Sequence, residues 1–338
     1  MSANPFVVAV FLLCGLATAA ALSALITWVS RPLLQRYALA RPNARSSHRI
    51  PTPQGAGIAV IAATLVIAWA WAAWATVPIP TVLVGATILI ALVGFADDTM
   101  SLPVLLRLLL QAGAVGAVVL TTPDSLRIVP SLPLAFERSL IVLAGVWFVN
   151  LVNFMDGLDL MTVAEVVPIT AALMLLGWLG ELPLPVALLA AALCGAMIGF
   201  APFNRPVAKV FLGDVGSLPI GLLLGWCLLE LAWHQQMAAA LLLPAYYLAD
   251  STLTLSRRIA RREPFWAAHR THFYQRATDN GFTVPRVISE VFALNLVLAL
   301  LAVATVRFSS TIVTTLALLS GAIAVGAVLR RFSGYGKS

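Results

Sequence analysis

Charged side chains are scarce in this 338-residue chain. Asp, Glu, Lys and Arg make up 10% of it, where a soluble globular domain carries about 25%. There are only four histidines and three cysteines. Cys14, Cys194 and Cys227 all fall inside apolar stretches, which argues against a disulfide framework or a thiolate zinc site and leaves them as small packing residues. Internal repeats and low-complexity tracts are also lacking. Apolar residues fill the space, at 61% of the chain and a mean hydropathy of +0.96. The fold class that follows is an all-α polytopic membrane protein, with residues 1–338 as one integral-membrane domain.

Eleven apolar stretches are long enough to span, about 17–25 residues being needed to cross the hydrocarbon. They run over 5–29, 55–75, 80–96, 103–121, 138–154, 160–179, 183–200, 216–233, 237–255, 286–306 and 311–329. The first lacks a basic leader region and is too long for a signal peptide core, so it reads as a membrane anchor. With the N-terminus outside and the C-terminus inside, 18 of the 21 basic residues lie on the cytoplasmic side and only Arg127, Arg138 and Arg307 lie outside. That asymmetry obeys the positive-inside rule. The net charge of +7 therefore calls for no nucleic-acid partner; it reflects topology and an attraction for anionic substrates and membrane lipids.

The 14 acidic residues matter more for being rare, since carboxylates at membrane helices are costly and mark functional sites. The same parity count places four polar clusters at cytoplasmic helix ends. Asp97-Asp98 closes the third stretch; two adjacent carboxylates repel unless a cation or a shared proton intervenes, although a solvated helix end is the plain alternative. Asn150, Asn153, Asp156 and Asp159 recur every three residues, a spacing that keeps neighbours on one helical face. Unpaired, such groups cost roughly 2–7 kcal/mol each in an apolar medium. The third cluster is the segment from Asn204 to Ser217, where Gly213 and Gly216 flank Asp214 and Ser217 is placed to cap the next helix. Its hard oxygen donors suit Mg²⁺, which keeps substrate phosphates in its shell. In the 256–286 loop, His269, Arg270, His272 and Arg276 suit phosphate or pyrophosphate. His234 sits at an outer helix end and reads as an interfacial residue.

Together these motifs resemble the polyprenyl-phosphate N-acetylhexosamine-1-phosphate transferases (glycosyltransferase family 4), a family that includes the peptidoglycan enzyme phospho-N-acetylmuramoyl-pentapeptide transferase. The resemblance spans SSHRIPTPQGAG at 46–57, GFADD at 94–98, NLVNFMDGLD at 150–159, NRPVAKVFLGDVGS at 204–217 and HRTHFYQR at 269–276. The last motif is closer to the O-antigen initiating branch than to the peptidoglycan enzyme, which carries three consecutive histidines there. Asp250 matches a further family acid.

The resemblance implies a site. Asp214 is expected as the principal Mg²⁺ ligand with Asp98 beside it, Mn²⁺ being the alternative ion. Asp97 and Asp98 would lie at the metal and the lipid phosphate, one of them a candidate base. Asp159, His269 and His272 complete the expected catalytic set. Asp156 and Phe211 are expected to bind uracil, with Asn150 and Asn153 on the same polar stripe and Asn204 as a wall near the diphosphate. Arg270 and Arg276 would hold the sugar or its phosphates. The implied partners are a UDP-N-acetylaminosugar, undecaprenyl phosphate, membrane lipids and a second copy of the chain, at the bacterial inner membrane. Two departures stand out: Gln54 and Ala56 replace the family's usual Arg and Gly, and Leu160 follows Asp159 where a Gly is usual. Competing readings are a peptidoglycan-type transferase, an inactive scaffold, and a secondary transporter. The transporter sits poorly with acids at helix ends and no repeated halves.

Overall fold

The computed structural model describes residues 4–40, 51–264 and 269–334. Arg41, Arg45, Arg49, the start of the 46–57 motif and Lys337 lie outside the described residues. The helices are α1 (Pro5–Tyr37), α2 (Gly57–Trp74), α3 (Thr81–Met100), α4 (Val104–Leu120), α5 (Leu134–Met155), α6 (Met161–Trp178), α7 (Leu184–Phe200), α8 (Asp214–Trp233), α9 (Met237–Leu242), α10 (Ala245–Ala260), α11 (Phe273–Asp279), α12 (Val284–Phe308) and α13 (Thr311–Gly334). One two-residue antiparallel pair joins Leu39–Ala40 (β1) to Thr52–Pro53 (β2). Among the described residues nine helices are long and apolar enough to cross a bilayer, and the apolar α4 is slightly shorter.

Ten of the eleven expected stretches are each one helix. The exception is 237–255, which breaks into α9 and α10 around Leu243-Pro244. Proline lacks the amide that would continue the ladder, and its ring displaces the carbonyl one turn back. Helix α10 starts afresh, its first bond running from the Leu248 amide to the Pro244 carbonyl at 2.9 Å, and it extends to Ala260 with Arg257 and Arg258 in its last turn.

Helices α7 and α8 are the most enclosed, while α1 and α13 are the most peripheral. Helices α1, α2 and α6 pack along α7, and α3 and α5 along α8. Close packing and small residues, more than water exclusion, hold such helices together in lipid. On α7 a Cβ added at Gly195 or Gly199 would stand 2.0 Å or 2.2 Å from the Leu16 or Ala20 carbonyl oxygen of α1, so both glycines are needed for that approach.

The same device builds the site end. A Cβ at Gly94 of α3 would lie 2.3 Å from the Asp214 carbonyl oxygen, and one at Gly57 of α2 would lie 2.2 Å from the Gly216 Cα. Helices α2 and α3 thereby close onto the first turn of α8. The segment after β2 also joins this end: the Phe211 amide donates to the Pro53 carbonyl at 2.7 Å, and the Gly55 and Ala56 amides donate to the Phe211 carbonyl at 3.2 and 3.0 Å.

Candidate active site

The first four amides of any helix lack an internal partner. At α8 two of them are taken by Asp98 of α3: the Asp214 amide donates to Oδ1 at 3.0 Å and the Val215 amide to Oδ2 at 3.1 Å. The Gln54 side-chain amide also donates to Asp98 Oδ1. Both carboxylate oxygens therefore accept hydrogen bonds, and Asp98, expected as a metal ligand, also anchors the turn that presents Asp214. Ser217 does not cap α8 either. Gly213 is the capping position, at φ 76°, and the Ser217 hydroxyl donates back to the Gly213 carbonyl at 3.2 Å.

Asp214 sits among Asn153, Arg107 and Asp97. Its Oδ1 accepts from Asn153 Nδ2 at 2.7 Å, and its Oδ2 lies 3.8 Å from Arg107 Nη1. Arg107 also forms an ion pair with Asp97, whose Oδ1 accepts the Leu102 amide at 2.8 Å. Arg107 had counted only toward topology in the sequence. Its place in the first turn of α4, just past the Asp97-Asp98 reversal, was the available signal. Its Nε is buried with no hydrogen-bond partner among the described residues, a donor at the edge of the carboxylate group.

Asp156, Asp159 and Asn204 occupy the next sector. Asp159 is buried and accepts the Ala208 amide at 3.1 Å. Asn204 accepts the Leu160 amide at 2.7 Å and donates to the Val210 carbonyl at 2.9 Å. These two side chains tie the α5–α6 turn to the 204–213 segment, so their positions are those of loop staples. Phe211 is half-buried, and its backbone is fixed by the β2 edge. Asp156, just past the end of α5, accepts the Thr162 hydroxyl. Burial, reinforced by the Asp98 and Asp159 charges, pushes its pKa up to about 6.

Asn150 departs from expectation. It is 5% exposed and donates to Gln111 Oε1 of α4 at 2.6 Å. The stripe turns into the bundle at that point, and Asn150 forms an interhelical amide pair one turn beneath Asn153.

The histidine arm is organised by Asp250 of α10, which is 0% exposed. It accepts the Phe273 and Tyr274 amides at the start of α11 at 3.0 and 3.1 Å, and it pairs with His272 Nδ1 at 3.1 Å. His272 is consequently buried, whereas His269, stacked on it with ring centroids 5.0 Å apart, is half-exposed. Arg270 is turned toward the far end of α11, 3.0 Å from Asp279 and 3.2 Å from the Thr278 hydroxyl. Arg276 is half-buried in the last turn of α11. The Tyr274 hydroxyl reaches across to donate to the Phe154 carbonyl at 3.1 Å, joining this arm to the end of α5.

Residues 80–232 match glycosyl transferase family 4. A Bacillus subtilis protein named probable undecaprenyl-phosphate N-acetylglucosaminyl 1-phosphate transferase is 26% identical over 299 residues, 83% of this chain and 82% of its own length. The decaprenyl-phosphate N-acetylglucosaminephosphotransferase of Mycobacterium tuberculosis is 26% identical over 362 aligned positions, 92% of this chain and 86% of that protein. The match to glycosyl transferase family 4 covers the central part of the chain, and both relatives align with it along most of its length. A phospho-N-acetylmuramoyl-pentapeptide-transferase of a Mycobacterium species is 34% identical over a shorter stretch, 39% of this chain and 43% of the relative.

The resemblance implies a magnesium ion. Among the described residues no group of three or more His, Cys, Asp or Glu side chains converges as a metal cage. Magnesium does not require one, since one or two carboxylates suffice when substrate phosphates and water fill the remaining positions. Asp214 with the neighbouring Asn153, Asp97 and Asp98 fits that demand, and Asp98 also orients Asp214 through the first amides of α8.

Proposed function

We propose that this protein transfers an N-acetylaminosugar-1-phosphate from a UDP-sugar to undecaprenyl phosphate, releasing UMP. The observation that carries this reading is the meeting of Asp97, Asn153, Asp214 and Arg107 at one end of an apolar helix bundle. Carboxylates for a divalent ion and a guanidinium for phosphate belong where a membrane-held acceptor meets a water-borne donor. Both full-length relatives described above carry names for this reaction type.

An oxygen of the lipid phosphate attacks the β-phosphorus of the donor. The bond from that phosphorus to the bridging oxygen breaks, and UMP leaves with the electron pair. Phosphoryl-type transfer depends mainly on positioning and charge neutralisation. Bound at Asp214 and Asn153, Mg²⁺ would supply charge for the bridging and leaving oxygens. Arg107 offers its buried Nε to phosphate, and Asp97 keeps that guanidinium in place. Asp156 accepts from the uracil edge while Phe211 stacks on the ring. His269 reaches the sugar phosphate, and His272 supports it by stacking. A lipid phosphate is already largely ionised near neutral pH, so Asp97 is not required as a strong base.

The site end faces the cytoplasm in this reading, N-out and C-in, by the basic-residue asymmetry. The protein is then a multi-pass protein of a bacterial inner membrane that starts an O-antigen or related envelope polysaccharide. The names of the relatives favour UDP-GlcNAc as the first donor to test, with the 6-deoxy N-acetylhexosamines FucNAc and QuiNAc beside it; Phe273 and Tyr274, 3% and 0% exposed, are buried in the arm and offer the sugar no apolar wall. A panel of UDP-sugars with undecaprenyl phosphate and Mg²⁺, read as UMP release, tests the proposal. A clear preference for the UDP-muramoyl-pentapeptide donor would overturn the O-antigen reading, and no UMP from any donor would overturn the reaction.

A further inference from the structure

Buried threonines inside the helices of this bundle return their hydroxyls to their own backbone. Thr64, Thr87 and Thr170 each donate to the carbonyl four residues back, at 2.8, 2.7 and 2.7 Å, the usual local partner for a threonine within a helix. Thr162 does otherwise. It stands in the first turn of α6, 3% exposed, and its hydroxyl donates to the Asp156 carboxylate. Asp156 lies just past the end of α5, so the bond joins side chains from two separate elements.

The backbone around Asp156 is braced by other groups. The Tyr274 hydroxyl donates to the Phe154 carbonyl at 3.1 Å, and a Cβ at Gly157 would stand 2.1 Å from that same oxygen. Asp159 accepts the Ala208 amide, and the Leu160 amide donates to Asn204. None of these contacts involves the Asp156 side chain. Its Oδ1 accepts the Thr162 hydroxyl, while Oδ2 has no hydrogen-bond partner among the described residues. The Asp98 and Asp159 charges act against the ionised carboxylate, and the Thr162 hydroxyl favours it. With the backbone fixed from elsewhere, Thr162 decides where Oδ2 points.

We propose that Thr162 is a positioning residue that aims Asp156 at the uracil edge and so sets the preference for uracil over cytosine. The proposal rests on the assignment of Asp156 to uracil in the transfer reading. Uracil presents an N–H at its N3 position, which a carboxylate oxygen accepts. Cytosine presents a lone pair there and carries its donor on the neighbouring amino group. With Oδ1 fixed, Oδ2 accepts from uracil and opposes cytosine as one acceptor against another. Sites that hydrogen-bond a substrate N–H reject an analogue lacking it by large factors. A carboxylate free to turn follows the donor to the amino group and loses that discrimination.

Two variants separate positioning from folding. Thr162→Val removes the hydroxyl at nearly constant volume and keeps the branched side chain, whereas Thr162→Ser keeps the hydroxyl. Equilibrium binding of UMP and of CMP to the purified protein is measured beside KM and kcat for the UDP-sugar. In Thr162→Val, UMP binding is expected to weaken roughly tenfold with CMP binding within about twofold of the parent, so the preference for UMP narrows by roughly tenfold. Donor KM should rise by the same factor and kcat should hold within about twofold, as expected for a contact made equally in the ground and transition states. Thr162→Ser should stay within about threefold of the parent throughout.

A Thr162→Val protein that keeps the parent's preference for UMP overturns the proposal. So does a loss shared equally by the two variants, or one confined to kcat. A parent that binds UMP no better than CMP overturns the uracil assignment of Asp156, and the role of Thr162 falls with it. A parent that prefers UMP yet releases none in turnover loses the transfer reading alone, and the binding ratio then decides the role of Thr162.

Discussion

Asp98 on α3 and Asp250 on α10 each leave their own helix to accept the first amides of another. Asp98 takes the Asp214 and Val215 amides of α8; Asp250 takes the Phe273 and Tyr274 amides of α11. In both, the carboxylate meets the positive end of a helix dipole and fixes a neighbouring functional side chain, Asp214 in one case and His272 in the other. They differ in what surrounds them. Asp250 is wholly buried among neutral donors and the His272 ring. Asp98 is half-buried, beside Asp97, Arg107 and Asp214. The same capping geometry thus occurs in a dry setting at Asp250 and in a charged, partly open one at Asp98.

Substitution should expose that difference, and the largest effect belongs to the presented acid. Asp214→Asn removes an anionic ligand at constant volume and is expected to lower turnover by about 10³-fold or more, with an unchanged unfolding temperature in detergent. Asp98→Asn should fall between Asp214→Asn and Asp250→Ala: it weakens the α8 anchor and is expected to cost roughly 10²-fold in kcat with a small stability loss. Near-parent turnover there would place Asp98 with Asp250 as architecture alone.

Asp250→Ala should reverse the pattern. It leaves two buried amides and His272 unpaired, at about 3 kcal/mol or more, so the unfolding temperature should drop further than in any other variant named here. The test is thermal unfolding beside turnover per folded molecule.

Acidity probes the uracil end. The pKa of Asp156 is raised to about 6 by burial and neighbouring acids, so the folded protein holds this proton more tightly than the unfolded chain. Its contribution to stability is therefore greatest below the ordinary carboxylate range and is lost as pH rises through about 6. Under the proposed function recognition runs the other way, with the ionised form accepting from uracil, so KM for the UDP-sugar should rise as pH falls through about 6. Asp156→Asn should flatten that profile. The smallest effect is expected from Asn150→Leu combined with Gln111→Leu, within about 1 kcal/mol of the parent, because both partners of a buried pair are replaced together. A large loss of donor binding in that double variant would return Asn150 to the site.

The bundle was legible because span length and apolar content act locally, and the four clusters were legible because polar groups are conspicuous in an apolar chain. Spacing alone could not tell that Asn150 faces α4 while Asn153 faces Asp214, since three residues advance a helix by less than a full turn. Nor could it show that Asp98 accepts the first amides of α8, or that Arg270 turns to Asp279; those outcomes depend on which helices approach. Arg107 was hidden among the topological cations. Pro244 was a visible breaker that overall hydropathy concealed.

The most direct measurement is the identity and amount of the nucleotide product. Purified protein with its preferred UDP-sugar, undecaprenyl phosphate and Mg²⁺ is expected to release UMP in step with a lipid diphosphate-sugar, and Asp214→Asn protein is expected to release none. Release of UDP in place of UMP, or undiminished UMP release by folded Asp214→Asn protein, would contradict sugar-1-phosphate transfer at the α3–α8 edge.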